Sequence, residues 1–98
     1  MTNVYLSGNN DRYLVYCSDH ATGSTKTCAA ISCLIYTLAG WLHNSDAEII
    51  KEHLKDGEAM LMFRGGEKAK AAFDMVCIGF LQIQQEHKEY ILVTGDNI

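Results

Sequence analysis

One cysteine and one histidine in the first third of the chain have the residue types and spacing for nucleophilic catalysis. Cys28 stands at the start of an apolar segment with helical periodicity, and His20 ends a strand-like run one short loop earlier. The loop between them, ATGSTKT, consists of small and polar residues apart from one lysine. A histidine near a cysteine can activate the thiol, so His20 and Cys28 are a candidate catalytic pair.

The helix after the loop is expected to begin near Cys28. Thr25 and Thr27, just before it, are residue types that cap helices. Cys28 therefore falls in the first turn, where backbone N–H groups and the positive end of the helix dipole favour a thiolate. The helical spacing itself comes from Ile31, Leu34, Ile35, Leu38 and Leu42.

The four cysteines also have a simpler interpretation, because free cysteine is among the most buried residue types. Cys17 in a strand and Cys77 beside an apolar helical stripe are predicted to be core residues. Cys33 lies five positions after Cys28, about 140° further around the helix, so the two thiols do not share a site easily. A zinc site built from Cys17, His20, Cys28 and Cys33 is an alternative. The angle between Cys28 and Cys33 around the helix counts against it, because zinc ligands must converge on one point. We expect neither a metal nor a cofactor.

The elements around this pair predict one α+β domain over residues 1–98. Residues 48–54 fit either a short helix or a strand, but the turn at 55–57 favours a second hairpin. The expected order is ββα(ββ)αβ, a two-layer domain with a mixed, mostly antiparallel sheet and two helices on one face. The other strands are predicted at 4–7, 13–20, 59–63 and 90–94, and the second helix from about 67 to 87.

Strand alternation assigns the residues near His20 to two faces. If residues 13–20 form one strand, Tyr16 and His20 share a face, while Cys17 and Asp19 lie on the other. Asp19 would then point away from His20. It is a poor candidate for an acid that orients the histidine.

Composition excludes several classes of ligand and location. The net charge is −4, and the eight Lys and Arg residues are scattered, so the chain lacks the basic surface that nucleic-acid binding requires. No apolar run approaches the roughly 20 residues that span a bilayer, and the first residues do not resemble a signal peptide. We expect a cytoplasmic protein with no membrane contact and with reduced thiols.

Two segments of the sequence resemble a known family. His20 and Ala21 after a strand, a small polar loop, and CAAIS opening an apolar helix are similar to the Prp family of ribosomal-processing cysteine proteases. The segment FDMVCIGFLQIQQEHKEYILV resembles that family's closing helix and final strand. The family usually has a longer stretch between the histidine and the cysteine, an aspartate where this chain has Thr25, and a glycine where it has Asp19.

The resemblance implies a cysteine endopeptidase, usually a homodimer, with His20 and Cys28 as its catalytic pair. Its substrate would be a short N-terminal extension of a ribosomal large-subunit protein. The shortened loop leaves room for another protein or peptide substrate, such as a viral capsid or scaffold protein. A noncatalytic dimeric binding module on the same fold is the alternative. Candidates for stabilising an oxyanion, through backbone N–H groups at the helix start and in the loop, are Gly23, Ser24, Thr25 and Thr27.

The second helix has a wider apolar surface than one sheet can cover. Met75, Ile78 and Leu81 extend that surface sideways from its main stripe, which predicts that a second copy of the chain covers them. Gly79 lies in the middle of this helix, where glycine is unfavourable by about 1 kcal/mol relative to alanine. This predicts close packing of the helix against another backbone at Gly79.

Overall fold

The periodic segments of the sequence form two helices and five strands. A computed structural model describes residues 1–19, 25–55 and 57–96 of the chain. Within these ranges the order is ββαββαβ, so the predicted α+β architecture and the second hairpin are confirmed. The elements are β1 (Thr2–Asn9), β2 (Arg12–Ser18), α1 (Thr25–His43), β3 (Glu48–Lys55), β4 (Glu58–Arg64), α2 (Glu67–Glu86) and β5 (Ile91–Asp96).

All five strands belong to one sheet with the order β3-β4-β2-β1-β5. Three of the four pairings are antiparallel, and β5 pairs parallel to β1. The sheet is thus mixed and mostly antiparallel, as predicted. In this arrangement β3 and β5 are the two edge strands among the described residues.

Alternation along the strands separates a buried face from an open one. In β2, Tyr13, Val15 and Cys17 are buried, while Leu14 and Tyr16 are only partly covered. The same period of two runs through β1 and β4, as expected for a sheet with helices on one face. The sheet side of the core consists mainly of Val4, Leu6, Tyr13, Val15, Cys17, Leu61, Phe63 and Ile91.

The helices complete the core with the faces that the sequence predicted. The fully buried side chains of α1 include Ile31, Leu38 and Leu42, and those of α2 include Phe73 and Phe80. The ring centroid of Phe73 lies 4.9 Å from that of Tyr13 and 6.4 Å from that of Phe63, so aromatic contacts join α2 to the sheet.

Gly79 allows α1 and α2 to approach each other. A Cβ atom at Gly79 would lie 2.9 Å from Cδ1 and 3.0 Å from Cδ2 of Leu34 on α1. The expected close contact is therefore present, but it is made with a side chain and not with a backbone. On either side of it the helices diverge and leave two surface grooves between them.

Two boundaries near the candidate site differ from the prediction. Helix α1 begins at Thr25, three residues before Cys28, so Thr25 and Thr27 lie inside the helix. Strand β2 ends at Ser18, and Asp19 follows it with φ 55°, in the left-handed region. The assignment of Asp19 to a strand face was therefore wrong, because regular alternation stops one residue earlier.

The outer surface of α2 carries large exposed apolar side chains. Met75 is 65% exposed, Ile78 56% and Leu81 43%. Neither helix within the described part of the chain is long and apolar enough to cross a membrane. The wide apolar surface predicted for α2 is thus left uncovered by the described residues of the chain.

Candidate active site

Cys28 is the fourth residue of α1 and lies half-buried in its first turn. The core-facing stripe of the helix, which includes Thr27 and Ile31, fixes the rotation of α1 and so the direction of Cys28. No acidic residue occurs in this first turn, so no carboxylate there offsets the positive end of the helix dipole. Cys28 therefore lies at the electropositive end of α1.

Of the other residues predicted for the site, the structure describes Thr25 and Thr27. Thr25 is exposed at the start of α1, whereas Thr27 is buried and turns its side chain into the core. Both belong to the first turn, whose N–H groups have no partner within the helix. His20, Gly23 and Ser24 lie outside the described residues, so their roles stay predictions.

The three remaining thiols have environments different from that of Cys28. Cys17 is fully buried in the sheet, and burial raises the pKa of its thiol to about 12. Burial, together with the nearby charge of Asp74, raises the pKa of Cys77 to about 12. Both predictions of core cysteines are confirmed. Cys33 is exposed on α1, with its sulfur 4.0 Å from Oγ1 of Thr37.

The rotation of α1 separates Cys33 from Cys28. Cys33 lines the groove between the helices together with Gln82 of α2 and His87, the residue that follows α2. Cys28 lies about 140° around the axis from Cys33 and one helical turn before Ser32, which faces the end of β3. Within residues 1–19, 25–55 and 57–96, no three side chains of His, Cys, Asp or Glu converge as metal ligands would. The zinc alternative includes His20 and is therefore not tested.

The carboxylates at this end of the sheet are engaged by neighbouring side chains. Asn3 donates a 3.4 Å hydrogen bond from Nδ2 to Oδ2 of Asp19. Glu58 accepts a 3.0 Å hydrogen bond from the Tyr16 hydroxyl, and this bond raises the pKa of Tyr16. Nε2 of His53 lies 3.5 Å from Oε1 of the same Glu58.

A shallow groove runs along the flank of α1 that carries Cys28. Ser32 and Tyr36 follow Cys28 at intervals of four residues and line this groove, with Leu54 and Lys55 opposite them on β3. The spacing of Ser32 and Tyr36 was visible in the sequence, but nothing in the sequence indicated that the end of β3 would face them. Sequence reasoning missed this groove.

Comparison with known proteins finds relatives by structure alone. No protein-family model and no curated protein sequence matches the chain significantly. The ribosomal processing protease Prp of S. aureus, in complex with a covalently linked product peptide, superposes with a TM-score of 0.84 over 98% of this chain and 100% of that one, at 15% identity. The chain has the Prp fold.

Two further structures share the Prp fold with this chain. The S. aureus protease in complex with a substrate peptide gives a TM-score of 0.78 at 14% identity, over 98% of this chain and 100% of that one. A Streptococcus mutans protein gives 0.77 at 20% identity, over 97% and 93% of the two chains. The shared fold therefore extends over nearly the whole chain.

Proposed function

We propose that the chain is a cysteine endopeptidase with Cys28 as nucleophile and His20 as general base and acid. The Cys28 thiolate attacks the scissile carbonyl carbon and forms a C–S bond, and N–H groups at the start of α1 stabilise the oxyanion. His20 gives a proton to the leaving amine as the C–N bond breaks. It then takes a proton from the water that hydrolyses the thioester and releases Cys28.

The observation that carries this proposal is the position of Cys28 in the first turn of α1, a turn that contains no acidic residue. Cys17 and Cys77 are poor nucleophiles, because burial keeps their thiols protonated at neutral pH. Cys33 lies on the other flank of α1. The shared fold supports the same chemistry, since a covalently linked peptide is the adduct that a nucleophilic protease forms.

The substrate that we propose is the N-terminal extension of a protein. A ribosomal large-subunit protein is the first choice, because the protease of the same fold processes ribosomal substrates. A viral capsid or scaffold protein with a similar leader is the second. We place the reaction in the cytoplasm, where the four free cysteines would stay reduced.

We also propose that the working form is a homodimer joined through the outer surface of α2. Met75, Ile78 and Leu81 form an exposed apolar surface of a kind that monomers seldom leave uncovered. A symmetric contact would bury each of these side chains twice.

Competitive alkylation tests the nucleophile without a known substrate. The native protein is treated with a limiting amount of iodoacetamide near pH 6, and each modified cysteine is quantified by peptide mass spectrometry. An ordinary thiol, with a pKa of about 8.5, is ionised to only about 0.3% there. Cys28 is half-buried and Cys33 is exposed, so accessibility alone would favour Cys33. We expect Cys28 to react first.

The variant His20→Ala separates the contributions to this reactivity. If His20 stabilises the thiolate, its removal should reduce the advantage of Cys28 over Cys33. An advantage that survives unchanged would come from the helix alone and would remove His20 from the mechanism. Labelling of Cys33 ahead of Cys28 would contradict the enzyme and favour the noncatalytic binding module.

A further inference from the structure

We propose that the groove formed by Ser32 and Tyr36 of α1 and by Leu54 and Lys55 of β3 binds the substrate about two to four residues from the scissile bond. We call it the flank groove. The inference rests on the proposed role of Cys28 and adds a substrate preference to it. The segment bound there would be an extended peptide that carries a large apolar residue next to an acidic one.

The flank groove begins one helical turn from Cys28. Ser32 and Tyr36 lie four and eight residues further along α1, about 6 Å and about 12 Å along the axis at 1.5 Å per residue. An extended peptide advances about 3.3 Å per residue. If the scissile carbonyl of a peptide lies at Cys28, the peptide residue that reaches Tyr36 is therefore the one about three or four positions from the scissile bond.

Among the described residues, the apolar wall of the groove is incompletely covered. Leu54 shares the helix-covered side of the sheet with its partner Ala59, which is buried, yet Leu54 is 37% exposed. Tyr36 opposite is 63% exposed. The groove encloses only about 20 Å³, little more than the room of one water molecule, so a substrate side chain would lie against its wall and would not be enclosed. A single apolar side chain would cover both residues.

The other end of α1 is fastened to the same strand. Nε2 of His43 lies 2.9 Å from both carboxylate oxygens of Glu52 on β3. This contact joins α1 to β3 two residues before Leu54. The flank groove therefore lies between two elements that also touch further along the helix.

Lys55 supplies the expected charge preference. In the described ranges of the chain, no ion pair to Lys55 is present, although Glu58 is its partner in the strand register. Glu58 instead contacts Tyr16 and His53. Lys55 thus presents a positive charge at the mouth of an apolar groove on a protein whose net charge is −4. A substrate carboxylate next to the apolar side chain would complement it.

The first test is peptide selection on the Cys28→Ala variant, which binds without reacting. Short random peptides displayed on phage are selected, and the affinities of synthetic copies are measured by fluorescence anisotropy. Leu54→Asp should weaken binding about tenfold or more, because it removes one large apolar contact. Lys55→Glu should shift the preferred neighbouring residue from acidic to basic.

Ile50→Asp is the matched control. Ile50 belongs to the same strand and is 39% exposed, close to the exposure of Leu54, but it does not line the flank groove. Its substitution should leave affinity unchanged. Equal losses in Leu54→Asp and Ile50→Asp, or no loss in either, would overturn the proposal. So would a failure to select any peptide.

Thiol protection in the wild-type protein links the groove to Cys28. A selected peptide should slow the alkylation of Cys28 by iodoacetamide more than that of Cys33, which lines the groove between the helices. Protection of neither thiol, or of Cys33 alone, would overturn the flank groove as a substrate site. The proposed chemistry fails separately, when Cys28 shows no reactivity advantage in the absence of peptide.

Discussion

Because Gly79 packs against Leu34, we expect Gly79→Ala and Gly40→Ala to change the free energy of unfolding by different amounts. Alanine is favoured over glycine inside a helix by about 1 kcal/mol. At Gly40 in α1 an added Cβ meets nothing within 4 Å, so Gly40→Ala should gain this amount. At Gly79 the added Cβ would lie 2.9 Å from Leu34, whose side chain must turn away at a cost of about 0.5–1.5 kcal/mol. Gly79→Ala should therefore be nearly neutral.

Urea unfolding of both variants at one protein concentration measures the difference. For a chain of 98 residues, 1 kcal/mol corresponds to about 4–8 °C in Tm, so thermal unfolding gives a second reading. In a Leu34→Ala background the contact is absent, and Gly79→Ala should then stabilise by about 1 kcal/mol. If Gly79→Ala stabilises the wild-type chain as much as Gly40→Ala does, the described approach of the two helices is wrong.

Three further predictions concern charge, assembly and chemistry. Because burial raises the pKa of Cys17, above about pH 9 the unfolded chain binds fewer protons than the native one. The free energy of unfolding should therefore fall by up to about 1.4 kcal/mol per pH unit through this thiol. Urea unfolding at several pH values should show a less steep fall in Cys17→Ala. Ile78→Glu should dissociate the proposed dimer, because the α2 contact would bury unpaired carboxylates. Light scattering should then give the mass of one chain, 10.9 kDa. A wild-type protein of that mass would contradict the dimer. Cys28→Ala should abolish cleavage of a leader peptide and Cys33→Ser should not, as chromatography of the products would show; the reverse result would make Cys33 the nucleophile.

The fold could be predicted because the periodicity of each element agrees with its burial. The stripe that includes Ile31 and Leu42 on α1 needed only helical spacing, and β2 needed only alternation. Strand β3 was ambiguous, because its edge position leaves most of its side chains exposed and weakens any pattern. Its pairing with β4 decided the matter, and such a pairing depends on tertiary structure.

The candidate site could be predicted less completely than the fold. Cys28 stood out because its place before an apolar stripe is a local feature of the sequence. The end of β2 at Ser18 and the left-handed Asp19 carried no such pattern, so the strand was extended too far. Leu54 and Lys55 could not be linked to α1, because their neighbours come from a chain segment that is distant in sequence.

The parallel pairing of β1 with β5 also bears on how the protein folds during synthesis. Residues 2–7 lie beside residues 91–96, with Thr2 paired to Ile91, so this contact closes a loop of nearly the whole chain. Loop closure over such a distance is slow compared with the formation of a local hairpin. On the ribosome, β1 can pair with β2 early, but its other edge stays open until β5 has been made. That unpaired edge leaves the nascent chain open to strand exchange with another copy.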